Sequence, residues 1–363
     1  MKIGLLLFKK VIGGVETVSI TLAKLLQKQG HEVFFIFPFS DGDLNIRKIN
    51  IPLQFKVYEY SYENCRVTVA DTISFMTKTI NYEKPDLIIS MFLEESYILL
   101  KAKKNITKKF KLITMDHCGC CHEYKKFWKD RTFNIYNQSD ALVTVTQIDE
   151  IFYKPHLNIP IVTINNLPQS DFYTEINPFD NHFRNKKILS LGRLVKNKGF
   201  DILIRAFSTI KQDGWTLHIY GDGPEKNNLE KLIKEEQIEN KVFLHASTQN
   251  VPDVMNNHEI FIFPSLVESY GMVLLEALLM GLPSISFNCP NGPAIIEAQL
   301  PGSVILVPEK NEKLLSSEIE NLINDDKRRE QLTQLARKYR NLINEENNEY
   351  LWAELFKKIF NNK

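Results

Sequence analysis

The stretch IFIFPSLVESYGMVLLEAL, residues 260–278, contains the pattern that repeats through the chain. Its first four residues, Ile260–Phe263, have the length and the β-branched and aromatic composition of a buried strand. A polar loop with Pro264 and Gly271 follows, and Met272–Met280 then has the apolar character of a buried helix. A strand that leads through a polar loop into a covered helix is the unit of a parallel sheet with helices on its faces. The segment therefore predicts an α/β fold.

The same alternation extends in both directions from this segment. In the C-terminal half, the predicted strands are Lys187–Leu191, Thr216–Tyr220, Val242–His245, Ile260–Phe263, Ser284–Phe287 and Ser303–Val307. The helices predicted between them are Phe200–Lys211, Glu225–Glu236, Met272–Met280 and Pro293–Ala298. In the N-terminal half, the predicted strands are Lys2–Phe8, Glu32–Phe37, Leu87–Ser90, Lys111–Met115 and Ala141–Thr146, and the predicted helices are Glu16–Gln29, Asp71–Tyr82 and Glu123–Tyr136.

The alternation is interrupted between Asn165 and Asn185, where Asn, Pro, Asp and Phe dominate without a period, as is typical of a linker. We therefore predict two domains, over residues 1–170 and 186–345. A last helix, about residues 346–363, is expected to pack back on the first domain. Each domain is expected to be a Rossmann-like, doubly wound sheet, and two such domains that face each other would bind a ligand at the carboxyl ends of their strands.

Composition excludes several classes of protein. The 363 residues include 45 Lys and Arg and 44 Asp and Glu, so a net charge of +1 gives no overall attraction to nucleic acid. Mean hydropathy is −0.22, and no run approaches the 18 apolar residues of a membrane span. Met1 and Lys2 lead directly into the first strand, so we expect no signal peptide. Five cysteines, three of them within Cys118–Cys121, do not form a disulfide framework. The sequence thus predicts a cytoplasmic protein.

Polar and glycine-rich loops follow three of the predicted strands. Ile12–Glu16 offers glycines and a helix start where a backbone could approach an anion, although a tight turn explains it as well. Gly192–Gly199 places Arg193 and Lys198 in one loop, a pair suited to a diphosphate, and a solvated basic loop is its alternative. Tyr220–Glu225 contains only a lone GxG, so a turn before a helix is favoured there.

The fourth loop, within residues 260–278, carries the most information. Glu268 lies in the loop, and Glu276 lies eight residues further on, inside an apolar helical run. A carboxylate buried there must find hydrogen-bond donors or become protonated, and ribose hydroxyls would be such donors. The N–H groups of Tyr270–Met272 lie at the helix start, where a phosphate fits. The alternative is a helix with one exposed glutamate.

Together these four loops, in this order, resemble the retaining glycosyltransferases of family 4, which have the GT-B fold. The resemblance is strong over Lys187–Pro308 and weaker in the N-terminal half. It implies transfer of a sugar from a nucleotide diphosphate sugar, with UDP as the expected nucleotide, to a glycan or a lipid-linked acceptor. It further implies retention of the anomeric configuration without a metal ion or other cofactor. Many members build bacterial polysaccharide or lipopolysaccharide.

The resemblance also implies roles for individual residues. The donor-binding set is Gly13, Gly14, Arg193, Lys198, Ser269, Tyr270, Gly271, Met272 and Glu276, and the catalytic set is His117, Arg193, Lys198 and Glu268. Arg193 and Lys198 would bind the diphosphate, and Glu276 would hold the ribose. Glu268 would contact the donor sugar, either as a positioning group or as a covalent nucleophile. The base would meet backbone near His245–Thr248.

Two features suggest a metal without predicting one. Asp41-Gly42-Asp43 is a DxD sequence, which we interpret as a solvated turn because nothing else supports a metal there. His117–His122 contains three cysteines and two histidines, but the second pair of ligands that a structural zinc site needs is missing. We expect buried or redox-sensitive thiols instead.

One segment departs from the overall neutrality of the chain. Residues 101–131 hold ten Lys or Arg and three Asp or Glu, with Phe127 and Trp128 among the cations. Basic residues interleaved with aromatic ones suit an anionic membrane surface, and a solvated face is the alternative. This predicts contact with the inner face of the cytoplasmic membrane.

The segment Asn288–Glu297 resembles one found in a subset of these enzymes. It has Ile295 where an acidic residue is usual, which weakens any inference about the donor sugar. Two other functions remain open: a nucleotide-sugar epimerase of the same fold, and a non-catalytic subunit that binds a nucleotide sugar.

Overall fold

The computed structural model describes residues 1–10, 13–39, 48–60, 68–119, 131–173, 185–211 and 214–361. They form two compact units. The first unit joins Met1–Leu167 to Asn344–Lys363, and the second is Pro168–Ile343. Each unit contains a parallel sheet with helices packed on it, so the predicted fold class is confirmed.

Seven parallel strands form the sheet of the first unit. They are β1 (Lys2–Leu6), β2 (Glu32–Phe37), β3 (Lys56–Glu59), β4 (Leu87–Ser90), β5 (Lys111–Asp116), β6 (Ala141–Thr144) and β7 (Ile161–Thr163), in the order β3-β2-β1-β4-β5-β6-β7. The central strands β4 and β6 are fully buried, which is why their apolar runs predict them. The edge strands β3 and β7 are half-exposed and short, so the sequence does not predict them.

Six parallel strands form the sheet of the second unit. They are β8 (Lys187–Leu191), β9 (Thr216–Tyr220), β10 (Val242–His245), β11 (Ile260–Phe263), β12 (Ser284–Phe287) and β13 (Val304–Val307), in the order β10-β9-β8-β11-β12-β13. This is the strand order of a doubly wound nucleotide-binding sheet. Its first three strands are added one after another toward one edge, and the fourth is added on the other side of the first. The reversal therefore lies between β8 and β11.

Helices connect the strands of both sheets. In chain order they are α1 (Gly14–Lys28), α2 (Val69–Glu83), α3 (Leu93–Ala102), α4 (Gln147–Tyr153), α5 (Phe200–Ser208), α6 (Lys226–Glu235), α7 (Val251–Asn256), α8 (Met272–Leu279), α9 (Gly292–Gln299), α10 (Glu312–Asn324), α11 (Asp326–Tyr339) and α12 (Glu345–Asn361). Residues 131–136 are also helical. The short helices α3, α4 and α7 are not predicted by the sequence.

Local contacts explain where some elements end. The predicted strand Ala141–Thr146 stops at Thr144 because Thr146 caps α4, its hydroxyl accepting a hydrogen bond from the Asp149 amide at 3.2 Å. At the other end of the chain, α12 lies on α1. The Gln29 side chain donates to the Glu349 carbonyl at 2.8 Å, and Trp352 is buried there. The last helix therefore belongs to the first unit.

Candidate active site

The reversal of strand order in the second sheet brings two of the predicted loops side by side. The loop with Arg193 and Lys198 follows β8, and the loop with Glu268 follows β11. Because β8 and β11 are paired in the sheet, these loops start side by side at its carboxyl edge. Ligands of open α/β sheets bind at this position, outside the carboxyl ends of the strands where the strand order reverses.

Backbone contacts hold the two loops together. The Leu266 amide donates a hydrogen bond to the Asn197 carbonyl at 2.8 Å. Gly199, with φ +63, lies so close to the second loop that a Cβ atom there would be 2.2 Å from the Pro264 carbonyl oxygen. Only glycine fits this position, since it tolerates both the conformation and the contact. The close approach of the two loops therefore depends on glycine at position 199.

Lys198 and Glu268 form an ion pair across the two loops. The Lys198 ammonium donates a hydrogen bond to the Glu268 carboxylate, and both side chains are largely buried. The ammonium also lies 5.9 Å from the centre of the Phe263 ring. The structure thus brings together two of the predicted site residues, which are far apart in the sequence. Arg193 is exposed and makes no ion pair with any residue that the structure describes.

The glycines of the loop after β9 serve the packing of the backbone. A Cβ atom at Gly221 would be 1.9 Å from the Gly192 carbonyl oxygen, and one at Gly223 would be 2.4 Å from the Leu194 carbonyl oxygen. The Leu194 amide donates to the Asp222 carbonyl at 2.9 Å. These contacts favour the turn interpretation of Tyr220–Glu225, in which this loop supports the basic loop after β8.

The helix α8 begins at the end of the loop that carries Glu268. Gly271, with φ +92, is its N-cap, so the first amides of α8 are available to a ligand. Tyr270 serves the structure: its ring is buried, and its hydroxyl donates to the Gln299 side chain on α9 at 2.9 Å. Burial raises the pKa of the Tyr270 hydroxyl. Of the predicted donor-binding set, Tyr270 therefore offers its amide rather than its side chain.

Glu276 is buried in α8. Only 6% of the residue is exposed, so the alternative of an exposed glutamate is wrong. Its carboxyl group has no hydrogen-bond donor among the residues of the described ranges, and burial raises its pKa to about 8. The group is therefore mostly protonated at neutral pH. A buried carboxyl without a partner is unfavourable unless a ligand supplies donors.

In the first unit, the predicted glycines lie at the start of α1. Gly13 is the N-cap, and a Cβ atom there would be 2.4 Å from the Glu16 carboxylate. A Cβ atom at Gly14 would meet no atom within 4 Å, so packing within the unit does not require glycine there. The helix start at Gly14 is open to a ligand.

His117 follows β5 in the same unit. It is buried, its Nε2 atom has no partner among the described residues, and the Phe92 ring lies 6.0 Å away. Burial lowers the pKa of His117 to about 4, against the opposing effect of the Asp116 charge. The imidazole is therefore neutral at physiological pH. A neutral imidazole can exchange a hydrogen bond with a hydroxyl group.

Sequence reasoning missed several buried acids in the first unit, among them Glu95. Glu95, in the first turn of α3, is completely buried, and burial raises the pKa of its carboxyl well above the ordinary value. The signal available was the acidic pair Glu94-Glu95 directly after the buried strand β4, at what proves to be a helix start.

Several sequence predictions lie outside the described residues. They are those for Asp41 and Asp43, for Cys120, Cys121 and His122, and for the aromatic and basic residues of segment 120–130. Within the ranges that are described, no three His, Cys, Asp or Glu side chains are grouped so that they could hold a metal ion. In the same ranges, no helix has the length and apolar content needed to span a bilayer.

Comparison with known proteins assigns the two units. The sequence model described as "Glycosyltransferase Family 4" matches residues 12–167, and the model described as "Glycosyl transferases group 1" matches residues 174–339. The amylovoran biosynthesis glycosyltransferase AmsD of Erwinia amylovora is 25% identical over 89% of this chain and 90% of its own length. The N-acetyl-alpha-D-glucosaminyl L-malate synthase of Bacillus anthracis is 26% identical over 82% and 81%.

A solved structure agrees on the fold. Alr3699/HepE of Anabaena, crystallised with UDP and glucose, superposes with a TM-score of 0.81 and 17% identity, over 98% of this chain and 99% of that one. Each unit of the chain thus matches one glycosyltransferase sequence model, and nearly the whole chain shares the fold of this solved structure. The chain is therefore a glycosyltransferase of the GT-B fold, whose N-terminal unit matches the family 4 model and whose C-terminal unit matches the group 1 model.

Proposed function

We propose that the chain transfers a hexose or N-acetylhexosamine from a UDP-sugar to a glycan or lipid-linked acceptor, with retention of configuration and without a metal ion. The observation that carries the proposal is Glu276, a buried carboxyl in α8 that has no hydrogen-bond partner among the described residues, in the helix whose first amides are open to a ligand. The two hydroxyl groups of a ribose would supply the missing donors. The diphosphate attached to that ribose would then reach the helix start.

The second unit offers the charges that a diphosphate requires. Arg193 is exposed at the carboxyl edge of the sheet, and Lys198 lies in the same loop. The first amides of α8 add the positive end of a helix dipole. In sugar transfer the departing diphosphate gains negative charge, and such preplaced donors stabilise it in the transition state. These groups would take the place of a metal ion.

The proposed reaction needs no second carboxylate. In a front-face mechanism, the glycosidic bond to the diphosphate breaks while the acceptor hydroxyl attacks from the same side. A phosphate oxygen of the leaving group takes the hydroxyl proton. Glu268 is held by Lys198, so we assign it a positioning role toward the sugar and the phosphate-binding ammonium. The neutral imidazole of His117 would exchange a hydrogen bond with a sugar hydroxyl.

The relatives support a polysaccharide acceptor, because one of them is named for amylovoran biosynthesis. We further propose that the first unit contacts an anionic membrane surface. The side chains of Ile148, Ile151 and Phe152 are exposed on one face of α4. The ring of Phe133 lies 6.5 Å from that of Phe152, and Arg131, at the end of the basic segment, is exposed two residues before Phe133. Apolar and basic groups on one surface suit anionic lipid.

Donor hydrolysis tests the proposed function against its rivals. Purified protein is incubated with UDP-glucose and with UDP-N-acetylglucosamine, and the products are separated. A retaining transferase slowly releases free sugar, an epimerase yields the isomeric UDP-sugar, and a binding subunit yields neither. UDP at 100 times its dissociation constant should also add about 2.7 kcal/mol of stability in a thermal-shift measurement. Absence of hydrolysis with every nucleotide sugar would overturn the proposal, and stabilisation by UDP without hydrolysis would favour the binding subunit.

One variant and its matched control test the role of Glu268. Glu268→Gln should lower kcat for hydrolysis and have a smaller effect on the affinity for UDP, since the charge acts mainly at the sugar. Glu235→Gln is the matched control, because Glu235 is an exposed residue of α6 that forms an ion pair with Lys231 at 3.4 Å. A sugar found covalently attached to Glu268 by mass spectrometry would make that residue the nucleophile instead.

A further inference from the structure

One residue beside the candidate site has an unusual backbone conformation. Asn291, between β12 and α9, has φ +74 and ψ −95 and is only 8% exposed. Four other non-glycine residues in the described ranges have positive φ, and each of them is exposed: Lys84, Lys186, Gln237 and Lys310. A residue with a side chain remains in such a conformation only where the surrounding structure holds it there. Strain of this kind is concentrated at functional sites.

The strained turn lies directly against the loop that carries Glu268. Asn291 and Glu268 form an isolated parallel β-bridge. The next residue is Gly292, and a Cβ atom there would be 2.2 Å from the Tyr270 carbonyl oxygen. The two segments are therefore in close backbone contact at the bridge and on its C-terminal side.

The turn is also anchored at both of its ends. Before it, the Asn288 amide donates to the Val307 carbonyl on β13 at 2.7 Å. After it, the Asn291 carbonyl accepts from the Ile295 amide at 3.3 Å and so begins α9. With both ends fixed, a change of conformation at residue 291 cannot be absorbed outward. It must displace the backbone to which it is bridged, which is that of Glu268.

We propose that the turn at Asn291 is a positioning device that sets the place of the Glu268 carboxylate through the backbone bridge. The inference rests on the proposed function, because it assigns Glu268 a task in the transfer reaction. Glu268 lies in a loop, and a loop alone holds a side chain less rigidly than a strand or a helix does. A displacement of about 1 Å in such a group costs roughly a hundredfold in rate. What matters at position 291 is therefore the backbone conformation and not the amide side chain.

Variants at position 291 that differ in their tolerance of positive φ test the proposal. Asn291→Val should lower kcat for donor hydrolysis at least about tenfold, because a β-branched residue resists positive φ and shifts the turn. Asn291→Ala should have a smaller effect in the same direction. Asn291→Gly should restore most of the lost kcat, since glycine adopts the turn freely. The affinity for UDP, measured by calorimetry, should change less than kcat in all three variants, because Glu276 lies inside α8 and outside the bridged segment.

A control separates positioning from general strain. Lys310→Val places the same side chain at another positive φ, in the exposed turn after β13. It should lower the melting temperature without lowering kcat. The double variant Asn291→Val with Glu268→Gln should be no slower than Glu268→Gln alone, because the device then has nothing to position.

The outcomes are distinguishable. A wild-type protein that hydrolyses no nucleotide sugar overturns the proposed function and this inference together. An active wild type in which Asn291→Val keeps its kcat overturns the inference alone. So does an Asn291→Gly variant as slow as Asn291→Val, since the side chain would then be the important group. Effects of Asn291→Val and Glu268→Gln that multiply in the double variant would likewise make the turn merely structural.

Discussion

Replacing the buried carboxyl of Glu276 should stabilise the ligand-free protein at high pH. Burial raises the pKa of this group from 4.5 to about 8. Between these two values the folded protein keeps a proton that the unfolded chain has lost, so the stability contributed by this residue falls as the pH rises. The fall ends above the folded pKa. At 1.36 kcal/mol per pKa unit, the full cost of the ionised carboxyl is about 5 kcal/mol.

The variant Glu276→Gln isolates the free-energy cost of the ionised carboxyl. Glutamine has the shape and the buried polar character of the protonated acid, but it cannot ionise. Glu276→Gln and wild type should therefore have equal stability near pH 4.5. The variant should gain about 1.4 kcal/mol per pH unit above that and be up to about 5 kcal/mol more stable at pH 9. Thermal and urea unfolding of both proteins without nucleotide, at pH 5, 7 and 9, measures the difference.

Nucleotide binding should show the opposite dependence. Ribose hydroxyls donate to the carboxylate, so UDP binding favours its ionised form and releases a proton below pH 8. The affinity of wild type for UDP should rise by up to about tenfold per pH unit until pH 8 and then level off, because one proton is released per site. Calorimetry in two buffers with different ionisation enthalpies counts that proton. The Glu276→Gln variant should bind more weakly and lose this dependence.

Two results would refute this reasoning. If wild type and Glu276→Gln differ in stability by the same amount at every pH, Glu276 does not carry a raised pKa. If the variant has the greater stability at high pH but wild type binds UDP with no proton release, the carboxyl is buried for another reason and does not hold the ribose.

Three further predictions concern the cations that bind the diphosphate, the need for a metal ion, and the contact with a membrane. Arg193→Ala and Lys198→Ala should each weaken UDP binding by roughly 1.5–3 kcal/mol, because each removes a hydrogen bond from a charged group. Calorimetry measures the binding free energy of UDP for both variants and for Lys231→Ala, a control at an exposed residue. A chelator should leave donor hydrolysis intact, whereas activity that is lost and then restored by manganese or magnesium would assign the DxD sequence at Asp41 to a metal. Vesicles with anionic lipid should bind the protein and release it with salt, and Ile151→Ser, at a residue that is 71% exposed, should reduce this binding without changing hydrolysis. Equal binding to neutral vesicles would contradict the membrane face.

The strands of the two sheet centres could be predicted because burial on both faces leaves an uninterrupted apolar run in the sequence. The strands β11 and β12 show this, since all of their residues are buried. The edge strands β3 and β7 could not be predicted, because half-exposed residues leave no such run. The short helix α4 was missed for a similar reason: three apolar side chains of this helix face outward.

For the candidate site, the sequence by itself determined which loops carry charge, where α8 begins and that Glu276 lies in an apolar helix. These are local properties, since each depends on residues within a few positions of one another. Only the tertiary structure decided that Lys198 binds Glu268, that the glycines after β9 support the neighbouring loop, and that Asn291 is bridged to Glu268. The physical reason is that these contacts join residues from separate loops. Strand order in the sheet, which no short segment encodes, brings those loops together.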